Sequence, residues 1–204
     1  MHISANNLGK RYNREWIFRR FSYEFLPGNR YAITGPNGSG KSTLLQVLAG
    51  AVMHSEGHVV YTQDNKTIEH PFLQLTITAP YLELIEEMTA VEALDFHQTF
   101  KPLTKSIKDI LETVGLSAAA NKQIRYFSSG MKQRLKMAQA FFSRSNVLLL
   151  DEPTTNLDAD GIALYLRLVN EHTNGKLVLV SSNDPHEYSF CEEVISIGNY
   201  KQNQ

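Results

Sequence analysis

The sequence Gly35-Pro36-Asn37-Gly38-Ser39-Gly40-Lys41-Ser42 lies between a short apolar run and a segment with helical spacing. Its order of glycine, four residues, glycine, lysine and serine is typical of a loop that wraps around phosphate groups. The apolar run, residues 31–34, predicts a buried strand, and residues 42–49 predict a helix that ends at Gly50. Such a strand, turn and helix direct backbone N–H groups and the positive end of a helix dipole toward an anion. The stretch therefore predicts a site for a nucleoside triphosphate with Mg²⁺, and we expect the nucleotide to be ATP.

Two residues of this loop are expected to carry its chemistry. Lys41 would reach the β- and γ-phosphates, and the hydroxyl of Ser42 would ligate Mg²⁺. The glycines keep the loop free of side chains that would block the approach of the phosphates to the backbone. The alternative is a flexible glycine and serine turn with a solvated lysine, which the flanking strand and helix disfavour.

An acidic pair follows a second apolar run. Asp151 and Glu152 come directly after residues 146–150, which have the branched apolar composition of a strand covered on both faces. Ligands of open α/β sheets bind at the carboxyl ends of the strands. Asp151 would complete the Mg²⁺ shell, directly or through water, and Glu152 could orient or deprotonate the attacking water. Taken alone, an Asp-Glu-Pro sequence could equally cap the next turn.

The composition is that of an ordinary globular chain. Of 204 residues, 42% are apolar and 20% are charged, and the net charge is −1. This balance argues against nucleic acid as a partner, since nucleic-acid binders usually carry a basic excess. Cys191 is the only cysteine, so one chain can form neither an internal disulfide nor a cysteine-based zinc site. The amino terminus lacks the apolar stretch of a signal peptide, and no apolar run approaches the roughly 20 residues that span a bilayer. We therefore expect a cytoplasmic protein unless a partner holds it at a membrane.

Two further segments indicate the class of the fold. Residues 176–181 form another run of branched apolar residues, and residues 160–171, which precede it, have helical spacing. Strands that alternate with helices in this way are typical of a parallel sheet covered by helices. The sequence therefore predicts an α/β fold with a P-loop NTPase core and a mainly parallel sheet.

Two regions do not follow this alternation. Residues 80–128 suggest several helices and no strong strand, which we interpret as a helical lobe inserted into the core. The amino-terminal part and residues 57–78, including the apolar stretch 73–77, predict an antiparallel side sheet. We expect a single domain over residues 1–204, with its core at 1–79 and 129–204 and its lobe at about 80–128.

Three further segments carry a family resemblance. Residues 127–131 are Phe-Ser-Ser-Gly-Met, residues 151–158 are Asp-Glu-Pro-Thr-Thr-Asn-Leu-Asp, and Tyr12 lies upstream of the phosphate loop. In that order they resemble the signature motif, the acidic motif with its D-loop, and the adenine-stacking aromatic residue of the ATP-binding cassette family. These are the nucleotide-binding subunits of ABC transporters. The resemblance covers nearly the whole chain, and the short chain with its altered signature is similar to ABC-2-type exporters.

The resemblance implies an ATPase that works as a head-to-tail dimer. Each of two ATP molecules would lie between the phosphate loop of one chain and the signature motif of the other, which is an identical or a different cassette chain. It also implies a separate transmembrane permease as a partner and a location at the inner face of a membrane. The implied catalytic residues are Lys41, Glu152 and Asn183, and the implied metal ligands are Ser42 and Asp151. The implied nucleotide contacts are Tyr12, Gly35, Asn37, Gly38, Ser39, Gly40, Lys41, Ser42, Thr43, Ser128 and Gly130.

Two of these residues also have simpler interpretations. Ser128 precedes a helix expected at about residues 131–142 and would serve as its N-cap, which does not prevent contact with a γ-phosphate across a dimer. Tyr12 competes with Trp16 and Phe18 for the role of adenine platform, although the latter two have the pattern of strand residues.

Two positions depart from the family pattern. Asn183 occupies the place of a histidine that hydrogen-bonds the γ-phosphate, and an amide can donate a hydrogen bond but cannot carry a proton. The family also has a glutamine at the junction to the helical lobe, where this chain has Pro80 and Tyr81. Gln74 lies earlier, within a predicted strand. Hydrolysis of ATP could therefore be slow.

Three functions fit these patterns. The first is the ATP-driven motor subunit of a membrane transporter. The second is a soluble cassette protein that acts on ribosomes or DNA, whose usual second cassette, coiled-coil arms or basic extensions are not visible in this sequence. The third is a regulatory cassette that binds ATP and hydrolyses it poorly, as Asn183 and the missing glutamine suggest. The motifs do not reveal the transported substrate or the direction of transport.

Overall fold

The computed structural model describes residues 1–201. The last three residues of the predicted domain lie outside this range. The described chain forms two compact units. The first comprises residues 1–77, 146–151 and 175 onward, and the second comprises residues 78–145 and 152–174. The limits of core and lobe given above remain a prediction.

Nine strands and six α-helices follow one another along residues 1–201. The strands are β1 (His2–Tyr12), β2 (Glu15–Phe25), β3 (Arg30–Thr34), β4 (Glu56–Gln63), β5 (Lys66–Thr67), β6 (Leu75–Thr78), β7 (Val147–Asp151), β8 (Leu177–Ser181) and β9 (Glu193–Ser196). The helices are α1 (Lys41–Leu48), α2 (Ala90–Phe100), α3 (Ile107–Thr113), α4 (Ser129–Phe141), α5 (Ala159–His172) and α6 (Pro185–Tyr188).

The five-stranded sheet of the first unit confirms the predicted α/β class. Its strand order is β6-β7-β8-β3-β9, and the pairs β7/β8, β8/β3 and β3/β9 are parallel. Every residue of β7 and β8 is buried, which explains why apolar residues dominate both strands. Because β3, β7 and β8 run in the same direction, their carboxyl ends meet at one edge of the sheet.

The position of β6 corrects one prediction. The sequence predicts residues 73–77 for the antiparallel side sheet, but β6 lies in the five-stranded sheet, at its edge beside β7. The backbone N–H groups of Asn146 and Val147 donate to the carbonyl of Gln74 at 2.8 and 3.2 Å. Gln74 itself precedes β6 rather than lying within a strand. These contacts join segments that are distant in sequence, so the local pattern did not reveal them.

The second sheet is antiparallel, as predicted, with the order β2-β1-β4-β5. Leu8 pairs with Phe21 and Lys10 pairs with Phe18, so β2 uses one residue more than β1 over this stretch. Arg20 has a φ of 58° at this bulge. The bulge lets both phenylalanines point into the core, where their ring centroids are 6.4 Å apart. Burial of each ring contributes about 2 to 3 kcal/mol to folding.

The second unit contains α2, α3, α4 and α5, and side chains cap the start of each helix. Thr89 and Glu92 form a capping box at the start of α2. Helices α4 and α5 pack through Phe141 and Tyr165, whose ring centroids are 6.2 Å apart. Among residues 1–201, no helix is both long and apolar enough to cross a lipid bilayer.

Candidate nucleotide site

The carboxyl edge of the parallel sheet brings the predicted motifs of the first unit together. β7 ends at Asp151, which pairs with Ser181 at the end of β8. Ser181 in turn pairs with Ile33 of β3, and the phosphate loop begins two residues later at Gly35. Ligands of parallel α/β sheets bind at this edge. The strand order alone therefore places the phosphate loop and Asp151 at the same edge of the sheet.

The phosphate loop ends at an uncapped helix. Gly40, the N-cap residue of α1, has a φ of 102°, and no side chain accepts a hydrogen bond from the first turn. A side chain at Gly40 would be strained in this conformation, and its Cβ would lie 2.5 Å from Cγ2 of Ile17. The helix start consequently has N–H donors without a side-chain acceptor, which is the arrangement that binds anions.

Lys41 is held inside the loop. Its side chain is buried, and Nζ donates to the carbonyl of Gly35 at 2.8 Å and to that of Pro36 at 3.4 Å. Ser39 is also buried, and its Oγ has no hydrogen-bond partner among the described residues. The unpaired hydroxyl of Ser39 suits a loop whose remaining partner is a bound group, because buried polar atoms are normally satisfied. Ser42 and Thr43 follow, half-buried in the first turn of α1.

The acidic pair combines a buried and a strained residue. Asp151 is 1% exposed at the end of β7. Glu152 has a φ of 43°, in the left-handed region, which costs a residue with a side chain about 1 to 2 kcal/mol. The turn that follows is closed by a bond from the N–H of Thr155 to the carbonyl of Glu152 at 3.2 Å. A turn therefore follows the acidic pair, and it fixes an unusual backbone at Glu152.

The residues at this edge fit a magnesium ion that also binds phosphates. No group of three or more His, Cys, Asp or Glu side chains in residues 1–201 could hold a metal ion alone. Asp151 supplies one buried carboxylate and Ser42 supplies one hydroxyl. Mg²⁺ is usually bound by one or two carboxylates together with substrate phosphates and water. We therefore expect the protein to supply only a few oxygen ligands to Mg²⁺, beside the anion site.

The signature segment of the second unit begins α4. The helix starts at Ser129, two residues before the predicted start, because Ser128 is its N-cap and accepts the N–H of Met131 at 3.2 Å. A Cβ on Gly130 would lie 3.2 Å from the carbonyl oxygen of Asn156, so glycine permits the D-loop backbone to approach. In the same unit Nε2 of Gln133 donates to the carbonyl of Pro153 at 2.7 Å. α4 therefore supports the turn after the acidic pair, a contact that the sequence did not predict.

The aromatic candidates near the phosphate loop differ in exposure. Phe18 is fully buried, and the ring of Trp16 lies under the guanidinium groups of Arg11 and Arg19, 5.5 and 4.5 Å from its centroid. Tyr12, the last residue of β1, is 47% exposed. Tyr12 is thus the one of the three with a ring face available to a base, although Nζ of Lys10 lies 4.7 Å from its centroid.

The two departures from the family pattern have defined surroundings. Asn183 lies beside the phosphate loop, where Oδ1 accepts the N–H of Gly35 at 3.3 Å and Nδ2 donates to Oδ1 of Asn37 at 2.9 Å. In the second unit, Nζ of Lys136 donates to the carbonyl of Pro80 at 3.0 Å, at the junction where the family has glutamine. Burial lowers the pKa of Lys136.

Comparisons with known proteins agree with these motifs. A sequence model described as ABC transporter matches residues 18–155. The cytochrome c biogenesis ATP-binding export protein CcmA of Rhizobium etli is 33% identical over 205 residues, which cover 97% of this chain and 95% of that protein. An ABC transporter ATP-binding protein of Bacillus subtilis, YybJ, is 34% identical over 202 residues, which cover 93% of this chain and 89% of that protein.

Solved structures show the same fold. A putative ABC transporter ATP-binding protein from Pyrococcus furiosus has a TM-score of 0.84 at 18% identity and covers 99% of this chain and 100% of its own. A bacterial ABC transporter cassette solved as a dimer has a TM-score of 0.79 at 25% identity, over 96% of this chain and 95% of its own. The matched motifs, the sequence identity and the shared fold lead to one conclusion: the chain belongs to the ABC transporter family and is an ABC ATPase.

Proposed function

We propose that this protein hydrolyses ATP as the cytoplasmic subunit of an ABC transporter and drives a separate membrane permease. The observation that carries the proposal is the uncapped start of α1, with Lys41 folded over the loop, at the edge where β7 ends in Asp151. The relatives named as export and transporter ATP-binding proteins support the transport role.

Within one chain, the proposed roles follow from the chemistry of each group. Lys41 would exchange its bonds to the loop carbonyls for bonds to the β- and γ-phosphates, which are stronger because both partners are charged. Ser42 and Asp151 would hold Mg²⁺, which would offset the negative charge of the phosphates. Tyr12 would stack on adenine. Glu152 would accept a proton from the attacking water, or orient it.

A second chain would complete the site. Ser128 caps α4 with its oxygen and keeps its hydroxyl proton to donate, and the positive end of the helix dipole lies at the same turn. In a head-to-tail dimer this turn would face the γ-phosphate bound by the partner's phosphate loop. ATP would then close the dimer and hydrolysis would let it open. The similar cassette that was solved as a dimer supports dimerisation.

One alternative rests on a specific observation. Asn183 stands where the family has histidine, and Pro80 or Tyr81 stands where it has glutamine. A chain without both groups could bind ATP for regulation and hydrolyse it poorly. In that case ATP affinity would be ordinary, while steady-state turnover of the wild-type protein would be close to background.

The test is the substitution Glu152→Gln, which removes the base and keeps the shape of the side chain. We expect turnover to fall by at least about a hundredfold, since a general base contributes a factor of that order. ATP affinity, measured with a fluorescent ATP analogue, and ATP-dependent dimerisation, measured by light scattering, should persist.

Glu69→Gln provides a matched control, because Glu69 is exposed and the chemical change is identical. Its turnover should equal that of the wild type. Equal turnover in Glu152→Gln and the wild type would contradict the catalytic role of Glu152. Background turnover in the wild type together with intact ATP binding would favour the regulatory alternative.

A further inference from the structure

The backbone that carries Asn183 is fixed from several sides. The N–H of Ser182 donates to the carbonyl of Ile33 at 3.2 Å, which ties this turn to β3. The N–H of Asp184 donates to Oγ of Ser182 at 2.9 Å, and Oδ1 of Asp184 caps α6 by accepting the N–H of His186 at 2.9 Å. Asn183 therefore extends its side chain from a rigid turn at the carboxyl end of β8.

The amide of Asn183 is engaged at both ends by the phosphate loop. Its oxygen accepts the N–H of Gly35, and its nitrogen donates to the side chain of Asn37. Gly35 and Asn37 are two residues apart, so one amide spans the first turn of the loop. A neutral amide has one oxygen and two N–H donors, and the loop uses the oxygen and one donor.

This use of the amide differs from direct recognition of a γ-phosphate. A phosphate sensor directs its donors at the ligand, whereas Asn183 has one donor committed to Asn37 and has its oxygen facing a loop N–H group. The partial negative charge of Oδ1 would be repelled by a phosphate. The orientation of the Asn183 amide therefore favours its contacts with the loop over contact with the ligand. These two bonds fix the first turn of the loop. The loop N–H groups that follow this turn contact the α- and β-phosphates, which ATP and ADP share.

We propose that Asn183 is a positioning residue of the phosphate loop, which together with Asn37 holds the loop in its phosphate-binding shape, for ADP as well as for ATP. The inference rests on the proposed nucleotide function and deepens it. It assigns Asn183 a role other than that of the histidine whose place it occupies. It also gives the side chain of Asn37, which the resemblance implies only as a nucleotide contact, a role in shaping the loop.

The experiment measures the dissociation constants of ATP and of ADP, each with Mg²⁺, for the wild type, Asn183→Ala, Asn37→Ala and the double variant. Both single variants should bind either nucleotide about three- to tenfold more weakly, since each loses one or two hydrogen bonds. The ratio of ATP to ADP affinity should stay at the wild-type value. The double variant should be within about twofold of the weaker single variant, because both substitutions break the same pair.

Asn170→Ala is the matched control, because Asn170 is exposed near the end of α5, in the second unit. Its affinities should equal those of the wild type. Asn37 and Asn183 are exposed as well, so their variants should fold, and thermal unfolding verifies this. A loss confined to ATP, with ADP affinity unchanged, would overturn the proposal and assign Asn183 to the γ-phosphate. Losses that multiply in the double variant would also overturn it.

Wild-type binding separates this inference from the proposed function. If the wild type binds neither nucleotide, the proposed function fails and the inference fails with it. If the wild type binds both nucleotides and Asn183→Ala binds them equally well, only the inference fails. Asn183→His adds a further test: turnover above that of the wild type would overturn the positioning role, whereas affinities lowered for both nucleotides would support it.

Discussion

The starts of α1 and α4 are the two helix N-termini that we propose to lie at the nucleotide, and they differ in how their N–H groups are satisfied. α1 follows Gly40 in the left-handed conformation, and no side chain caps it. α4 follows Ser128, whose Oγ accepts the N–H of Met131. One turn thus offers bare backbone donors, while the other has already satisfied one of its donors within its own chain.

This difference indicates which half of the site, the phosphate loop before α1 or the signature turn at Ser128, binds ATP without a partner chain. The uncapped N–H groups of α1 have no side-chain acceptor, so a bound anion can accept from them in place of water, and we expect the phosphate loop to contribute the larger share of the binding energy. A capped turn is stable without a ligand and adds a hydroxyl proton and a dipole. We therefore expect the phosphate loop to set the affinity of one chain for ATP, and the signature turn to act only once a second chain brings it to the γ-phosphate.

Lys41→Met should have the largest effect on affinity, because it removes the charged group of the phosphate loop and keeps an unbranched side chain of similar length. We expect ATP affinity to fall by about a hundredfold, as hydrogen bonds between charged groups contribute about 1.5 to 3 kcal/mol each. Titration with a fluorescent ATP analogue measures it. Lys108→Met, at an exposed position of α3, should leave the affinity unchanged. An affinity within about threefold of the wild type in Lys41→Met would contradict the assignment.

The features of the first unit differ in how well the sequence predicts them. The strand, loop and helix from β3 to α1 are contiguous, and a motif with fixed spacing defines the loop. The apolar runs of β7 and β8 likewise predict buried parallel strands, because burial on both faces requires apolar residues at every position. These features depend on local pattern alone, and the structure has them where the sequence predicts them.

Features that depend on contacts between distant residues were not predictable in this way. The sheet to which β6 belongs is set by bonds between Gln74 and the start of β7, and the Asn37–Asn183 pair joins residues 146 positions apart. The burial of both Phe18 and Phe21 depends on a bulge at Arg20, which shifts the two-residue period of the strand. Neither the spacing of the apolar residues nor the residue types predict such a bulge.

Two substitutions of Ser128, which caps α4, separate its structural role from its functional role. Ser128→Ala removes the cap, so we expect the free energy of unfolding to fall by about 1 kcal/mol. Ser128→Asp keeps a cap acceptor and adds a negative charge to a turn that would face phosphate. It should unfold like the wild type and lose most of its turnover.

Denaturant unfolding and steady-state ATPase assays measure these two effects. Because we propose that the signature turn, the start of α4 at Ser128, completes the partner's site, neither variant should change the ATP affinity of an isolated chain. Wild-type turnover in Ser128→Asp would show that this turn does not meet phosphate. A weaker ATP affinity of the isolated chain would contradict the division of roles between the two halves.

Asp158 gives the smallest expected effect and extends the comparison to a charged cap. It precedes α5, and Oδ1 accepts the N–H of Gly161 at 2.8 Å. This bond, with a further contribution from Arg134, lowers the pKa of Asp158 below its ordinary value of 3.8. A carboxyl group with a lowered pKa in the folded state stabilises the fold fully above the unfolded pKa and loses that effect as the pH falls through the folded pKa.

Asp158→Asn keeps an oxygen that can cap α5 but removes the charge. The wild type should therefore have the higher melting temperature at neutral pH, and the difference should shrink as the pH is lowered below the ordinary pKa of 3.8. Asp158→Ala, which lacks the cap acceptor, should be less stable than Asp158→Asn at every pH. A constant difference between the wild type and Asp158→Asn across this range would mean that the cap works through its oxygen alone. In that case the charged cap of α5 would be equivalent to the neutral cap of α4, and only α1 would differ from the other helix starts.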